Sequence, residues 1–325
     1  MLRRLSIGLL ASAIALAPLP TKAQDGTAKD LGDVMSTSLK DVVKPTIGFQ
    51  GALQGAGTPN QAGIGGFLPL SVGDNSVWFL DALVNAHFAD REGYSSIVNT
   101  DLAGGFSTST RLGYRWLNGD RSWMYGLNAG YDSRSLKSGN ADTGVNVANK
   151  KTVGFQQIAL NAEAVSDSWT FNGYGLIAVG DVEQKLNSHY DAGALNTYGL
   201  DVGYFISPAL HASIGYYYQH RDQEDVDGSG VRGRLAYDIT QDLTAGINIS
   251  YDEAFDTCVS ADLKVRFGVA STTAKPKAIQ QLPVINAITS VPSNRDVRVH
   301  DLPWWEWAAC DVTDTEEVCW ALEES

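Results

Sequence analysis

From about Lys44 onward, large apolar residues recur at every second position, with small, polar or charged residues between them. Val231, Gly233, Leu235, Tyr237 and Ile239 alternate with Arg232, Arg234, Ala236 and Asp238. Leu243, Ala245, Ile247, Ile249 and Tyr251 alternate with Thr244, Gly246, Asn248, Ser250 and Asp252, and Val259, Ala261, Leu263, Val265 and Phe267 with Ser260, Asp262, Lys264 and Arg266. A period of two marks a strand whose two faces meet different surroundings. Each run holds about nine or ten residues, the length of a membrane-spanning strand tilted ~45°. The same dyad runs from Trp78 to Phe88 opposite Asp81, Asn85 and His87, from Ile158 to Ala164 opposite Asn161 and Glu163, from Tyr198 to Ile206 opposite Asp201, and from Leu210 to Tyr218. Two segments are ambiguous: Ala62 to Leu70 contains Pro69, and Trp169 to Val179 is apolar on both faces.

Around Asn118-Gly119-Asp120 two such segments face each other. Leu112, Tyr114 and Trp116 share one face, and Trp123, Tyr125, Leu127, Ala129 and Tyr131 share the corresponding face of the next segment. Asn-Gly between alternating runs predicts a hairpin. Tight turns are expected at Val72 to Asn75, Asn118 to Arg121, Ser166 to Ser168, Ser207-Pro208 and Thr240-Gln241. Longer polar links fall at Gly55 to Gln61, Asp90 to Ile97, Ser133 to Lys150, Asp181 to Tyr190, Gln219 to Gly230 and Glu253 to Thr257. Short and long connections alternate, as they do in an up-and-down barrel with turns on one rim and loops on the other. The predicted fold is therefore all-β: a transmembrane up-and-down antiparallel β-barrel of about 12 strands, outer-membrane type, over residues 44–268. The even strand number brings both barrel ends to the short-turn rim.

The flanks read differently. Arg3-Arg4, an apolar run to about Leu16 and small residues before Gln24 predict a signal peptide over 1–23. Residues 24–43 are expected to form an N-terminal periplasmic segment. Residues 269–325 read as a linker, through Pro283 and Pro292, into a short acidic tail whose last 25 residues hold eight acids and no Lys or Arg. Trp304, Trp305 and Trp307 in that tail are candidate docking residues. Cys310 and Cys319 could close a small loop in an oxidising compartment.

Net charge and composition narrow the partners. At −13, with 33 glycines and 13 tyrosines, the chain is a poor nucleic-acid binder and fits either a secreted soluble β protein or a membrane barrel. With three cysteines it is not a disulfide-built scaffold. No histidine or cysteine spacing matches a metal site, and no glycine-rich loop opens a helix, so neither a cofactor nor catalysis is expected. Asp81 and His87 stand six positions apart on one face, about 20 Å along a strand. The residues expected inside the barrel are Asp81, Asn85, His87, Arg111, Arg115, Asn128, Asp132, Glu163, Asp201, Arg232, Arg234, Asp238, Asp262, Lys264 and Arg266. Their signs nearly balance, which suits a cross-linked or plugged lumen better than a channel with one dominant charge.

The wording of the central hairpin, Leu112-Gly-Tyr-Arg-Trp followed by Trp123-Met-Tyr-Gly-Leu-Asn-Ala-Gly-Tyr-Asp132, resembles the β-domain of the inverse autotransporters, the intimin and invasin family. The likeness extends through Leu68-Pro-Leu, Val77 to Asp81, Gly154 to Glu163, Tyr198 to Tyr218 and Leu243 to Asp252. The resemblance implies an outer-membrane barrel whose chain ends at the inner rim and threads back through the lumen to present a C-terminal passenger. Only 57 residues follow Gly268, fewer than the ~100 of an immunoglobulin-like domain, so a short presented tail is expected instead. The partners implied are outer-membrane lipid, barrel-assembly machinery with periplasmic chaperones, and a surface or periplasmic partner of the tail. Two other readings stand beside it: a narrow porin-like channel for ions or small solutes with a periplasmic tail, and a secreted soluble carbohydrate-binding β protein.

Overall fold

The computed structural model describes residues 38–53, 60–88, 99–141, 143–221, 227–240, 242–268 and 283–303. The predicted signal peptide, Trp304, Trp305, Trp307, Cys310 and Cys319 lie outside them. After a single helical turn, α1 (Leu39–Val42), the chain enters β1 (Thr46–Leu53), β2 (Gln61–Val72), β3 (Ser76–His87), β4 (Thr100–Leu117), β5 (Trp123–Ala141), β6 (Thr152–Ser166) and β7 (Trp169–Val179). Short strands β8 (Glu183–Lys185) and β9 (Tyr190–Ala194) precede β10 (Asn196–Ser207), β11 (Leu210–His220), β12 (Gly228–Thr240), β13 (Leu243–Asp252) and β14 (Asp256–Phe267). One turn of helix, α2 (Pro283–Ala287), and β15 (Val299–Pro303) complete the described chain.

Strands β1 to β7 and β10 to β14 form a closed antiparallel barrel of twelve, sealed where β1 meets β14 with Ile47 opposite Phe267. Closure leaves no unpaired strand edge, the condition for a sheet to sit in hydrocarbon. The ambiguous segments are both strands: β2 accommodates Pro69 through a register shift between Pro69 and Ser71, and β7 pairs with β6 and β10. The central turn is longer than Asn-Gly alone would make it. Asn118 N donates to Trp123 O at 2.9 Å, and the left-handed residue is Arg121 (φ 56°) rather than Gly119. Its exposed Asp120 carboxylate accepts from the Ser122 hydroxyl and amide, which hold its pKa below the usual carboxylate range.

Ile47, Leu80, Val84, Leu112, Leu127, Leu160, Leu200, Ile214, Ile247 and Leu263 all point outward and are exposed. A contiguous apolar exterior of this extent is a lipid-facing surface. It rules against the soluble carbohydrate-binding reading, which needs a polar outside. Rings border the belt. At the short-turn rim Trp78, Tyr114, Trp116, Tyr125 and Trp123 follow one another with centroids 4.9, 5.5, 5.8 and 6.2 Å apart, and Trp169 meets Tyr204 at 4.9 Å. At the other border stand Phe88, Phe106, Tyr198, Tyr218 and Tyr251. Ten residues separate Trp78 from Phe88, which at ~3.3 Å each and ~45° tilt is about 23 Å, the thickness of a lipid-facing band.

Ile247, 60% exposed, lies in this belt. Ile247→Arg is expected to cost about 2–4 kcal/mol near the midplane, read as a lower unfolding midpoint in denaturant-titrated lipid vesicles, while Ile247→Leu leaves it unchanged.

Strands β4 to β6 rise past the belt at the long-connection rim. There Leu102, Leu136, Val153, Phe155, Leu186, Ala192 and Ala194 form an apolar cluster roofed by a small sheet in the order β15-β9-β8.

Candidate functional site: the lumen and the tail within it

The inward faces of β3 to β6 carry the densest set of buried charges. Arg111 meets Asp132 in a fork, Nη1 to Oδ1 at 2.6 Å and Nη2 to Oδ2 at 2.8 Å, with side chains 0% and 1% exposed. Arg115 binds Glu163 at 2.6 Å and lies 4.5 Å over the Phe79 ring. Bidentate guanidinium–carboxylate pairs of this kind satisfy donors and acceptors together, which burial requires. A Cβ on Gly126 would fall 2.4 Å from the Glu163 carboxylate, and one on Gly130 would fall 1.8 Å from Thr110 O. Glycine at these two positions is what lets the arginines and strands approach so closely.

On the opposite wall Arg232 donates to Asp201 (Nε to Oδ1, 2.7 Å) and stacks 4.9 Å over Tyr174. Arg234 binds Asp262 at 2.7 and 3.0 Å and Asn248 at 2.7 Å, with Lys264 3.8 Å from the same Asp262. Asn128 accepts from Asn161 at 3.2 Å, and Asp238, at the short-turn mouth, accepts from Thr244 at 2.6 Å. His87 does not approach Asp81. Its Nε2 lies 3.0 Å from Ser107 Oγ, to which Asn85 Nδ2 also donates at 3.2 Å. All three are buried, and no carboxylate orients the imidazole, since Nδ1 has no hydrogen-bond partner.

Asp81 instead pairs with a residue placed in the linker by its sequence: Arg295. Residues 283–303 occupy the lumen, and their contacts with β4 run in strict order. Arg115 Nη1 donates to Ile288 O (3.1 Å) and Ser290 O (2.7 Å). Arg111 donates to Asn294 O at 3.1 Å, Arg295 Nε to Ser109 Oγ at 2.7 Å, and Asn99 N to Asp301 Oδ1 at 2.9 Å. As tail numbers rise from 288 to 301, the numbers of their partners on β4 and at Asn99 just before it fall from 115 to 99, so the tail passes from the short-turn rim to the long-connection rim.

Further contacts follow from other strands. Arg266 donates to Thr289 O (3.1 Å), Gln157 to Asp296 O (3.3 Å) and Arg134 to Val297 O (2.8 Å), while Arg298 binds Asp252 at 3.0 Å and lies 4.5 Å over Phe255. Val297 and Val299 then enter the apolar cluster, and β15 pairs antiparallel with β9, Val299 opposite Ala194. His300, beyond the belt, is buried against Phe255 and bonded to Ala254 O. Burial first, and Arg221 second, lower its pKa to about 4, so the ring is neutral at neutral pH.

Of the residues expected in the lumen, Asp81, Asn85, His87, Arg111, Arg115, Asn128 and Asp132 are buried, and Glu163, Asp201, Arg232, Arg234, Asp238, Asp262, Lys264 and Arg266 line the two cavities. The sequence reading left out Arg134, Gln157, Asp252, Arg295 and Arg298. Ser133 to Lys150 was expected as a loop, yet β5 continues to Ala141, and the unbroken period through Asp132, Arg134, Leu136 and Ser138 was the available sign. In the same way, part of the Asp181 to Tyr190 link is strand β8. The linker likewise hid Val297 and Val299 alternating with Arg298 and His300.

The tail does not fill the barrel. It lies mainly against β3 to β6, leaving cavities of about 330 and 630 Å³ toward β1, β7 and β10 to β14. Gln50, Lys264, Ser290 and Arg295 line both. The larger carries Asn172, Thr197, Ser213, Asn248 and Ser260 on its wall beside apolar side chains such as Leu83 and Leu176.

No known family profile matches the sequence. No curated protein matches it either. Among solved structures, one from work on the in-meso crystallization of membrane proteins aligns with TM-score 0.54 at 13% identity, over 80% of this chain and 100% of its own. The KdgM porin aligns at 0.38 and 8% identity, covering 68% of this chain and 99% of its own. The β domain of the Bordetella autotransporter BrkA aligns at 0.34 and 12%, covering 68% and 98%. At 13% identity the likeness to the first of these is one of fold alone.

Proposed function

We propose that this chain is an outer-membrane barrel of inverse-autotransporter type that carries the C-terminal part of its own polypeptide through its lumen and holds it at the cell surface. The observation that carries the reading is the ordered descent of β4 contacts against the rising tail. In outer-membrane barrels short turns face the periplasm and long connections face outward. The tail therefore starts inside and leaves outside, delivering the acidic, tryptophan-rich segment after Pro303 to the exterior. The motifs shared with the intimin and invasin family point the same way, as do barrel ends that meet at the short-turn rim. Lipid is the partner of the apolar belt, and export to this membrane draws on periplasmic chaperones and the barrel-assembly machinery. The lumen charges serve as struts for the tail, and no chemistry is assigned to the His87–Ser107 pair.

A narrow channel is the second reading, favoured by the cavity of about 630 Å³ beside the tail. An epitope tag after Ser325, probed with protease and antibody on intact cells, separates the two. The export reading expects the tag to be cleaved and labelled without opening the outer membrane. A tag reached only after permeabilisation means a periplasmic tail and leaves the channel.

A further inference from the structure

The lumen holds the tail in two chemically distinct ways. Six main-chain carbonyls, those of Ile288, Thr289, Ser290, Asn294, Asp296 and Val297, accept from Arg115, Arg266, Arg111, Gln157 and Arg134. Every residue carries a carbonyl, so these contacts survive any change of side chain and any slip that returns a carbonyl to the same place. Among the described residues charge reads identity inside the barrel where Arg295 meets Asp81 and Arg298 meets Asp252, and at the outer rim the Asp301 carboxylate accepts from Asn99 N. Asn294 and Ser293 add neutral bonds to Arg232 and Asn172 at the edge of the open cavity.

We propose that the wall arginines form a binding track for polypeptide main chain, indifferent to side-chain identity, and that Arg295 and Arg298 set the register at which the chain comes to rest. The proposal rests on the export reading above. Over the stretch from Arg295 into β15, a slip of two residues keeps each side chain on its own face and moves the chain by about 6.6 Å. It would put Ser293 or Val297 against Asp81, and Asp296 or His300 against Asp252. The contacts made by the Asp296 and Val297 carbonyls would be re-formed, but two buried carboxylates would lose their cations. The wall therefore tolerates many registers and the two arginines select one.

The test reads register directly. In a Cys258→Ser, Cys310→Ser, Cys319→Ser background, Val299→Cys and Ala194→Cys join cross-strand partners within disulfide reach. Oxidised outer-membrane fragments should give the 194–299 disulfide, scored by mass spectrometry after proteolysis, with barrel folding checked by heat-modifiable gel mobility. Thr289→Ala, Ser290→Ala and Val291→Ala together should leave the yield unchanged, since Thr289 and Ser290 meet the wall through their carbonyls. Arg295→Gln with Arg298→Gln should lower it at least about tenfold, and a cysteine at Val297 or Asp301 should then capture Ala194→Cys. If the double variant does not fold, Asp81→Asn, which removes one half of the lock from the wall, is read instead. An undiminished yield in the arginine variants, or an equal loss in the triple alanine variant, overturns the proposal. No 194–299 disulfide even in the parent means the tail is not in the lumen, which overturns the export reading and this proposal with it.

Discussion

Arg111→Met is expected to destabilise the folded barrel by about 3–5 kcal/mol, the usual cost of removing one partner of a buried ion pair. Arg111 and Asp132 are both shielded, and the fork between them uses both carboxylate oxygens. Once the guanidinium is gone, Asp132 keeps only the Gln157 amide at 2.8 Å, and Asn294 O loses its donor. Desolvation makes the remaining charge costly, whatever the pair itself contributed. The double variant Arg111→Met, Asp132→Leu should therefore recover most of the loss, since an apolar pair of similar volume often replaces a buried ion pair at little cost. Urea titration of the folded, heat-modifiable form in detergent checks this. Equal losses in the single and double variants would mean that shape and tail contacts at this wall matter more than the uncompensated charge.

The same wall shows what the sequence could and could not say. Alternation marked most barrel strands, because where one face meets lipid the apolar set is fixed by the membrane and the polar set by the lumen, whereas β2 with Pro69 and β7 with apolar residues on both faces stayed ambiguous. Arg111, Arg115, Asp132 and Glu163 were legible as inward residues for that reason. Their pairing was not, since period two gives a face but no register across strands. Above the lipid the rule inverts. Leu136 and Val153 point inward into the outer cluster, while exposed Lys137 and Asn140 point away, so the upper half of β5 read as a polar loop. The tail was the hardest element to read. β15 is five residues long and finds its partner β9 about a hundred residues earlier, a non-local contact that no local pattern encodes. Pro283 and Pro292 read as a linker by composition, and the lumen gives that segment its structure.

Deleting residues 269–325 is expected to turn the barrel into an open conductor. Twelve strands enclose more space than their own side chains fill, whereas about eight do not. In the intact chain the tail occupies the part of the lumen against β3 to β6, and the cavities of about 330 and 630 Å³ lie beside it. Removing the tail merges that occupied volume with both. It also strips carbonyl partners from Arg111, Arg115, Arg134 and Arg266 and cations from Asp81 and Asp252. Arg111 and Arg115 keep Asp132 and Glu163, so the wall retains charge-paired struts and the barrel should still close. Single-channel recording in planar bilayers should give steps several-fold larger for the truncated barrel than for the full chain, with a lumen lined by both signs of charge. Asp81→Asn with Asp252→Asn, which loosens the tail without deleting it, should flicker between the two levels, because the carbonyl contacts remain to draw the tail back. Identical conductance with and without the tail would mean that the passage lies entirely in the open side of the lumen. The porin-like reading would then describe the barrel better than the export reading.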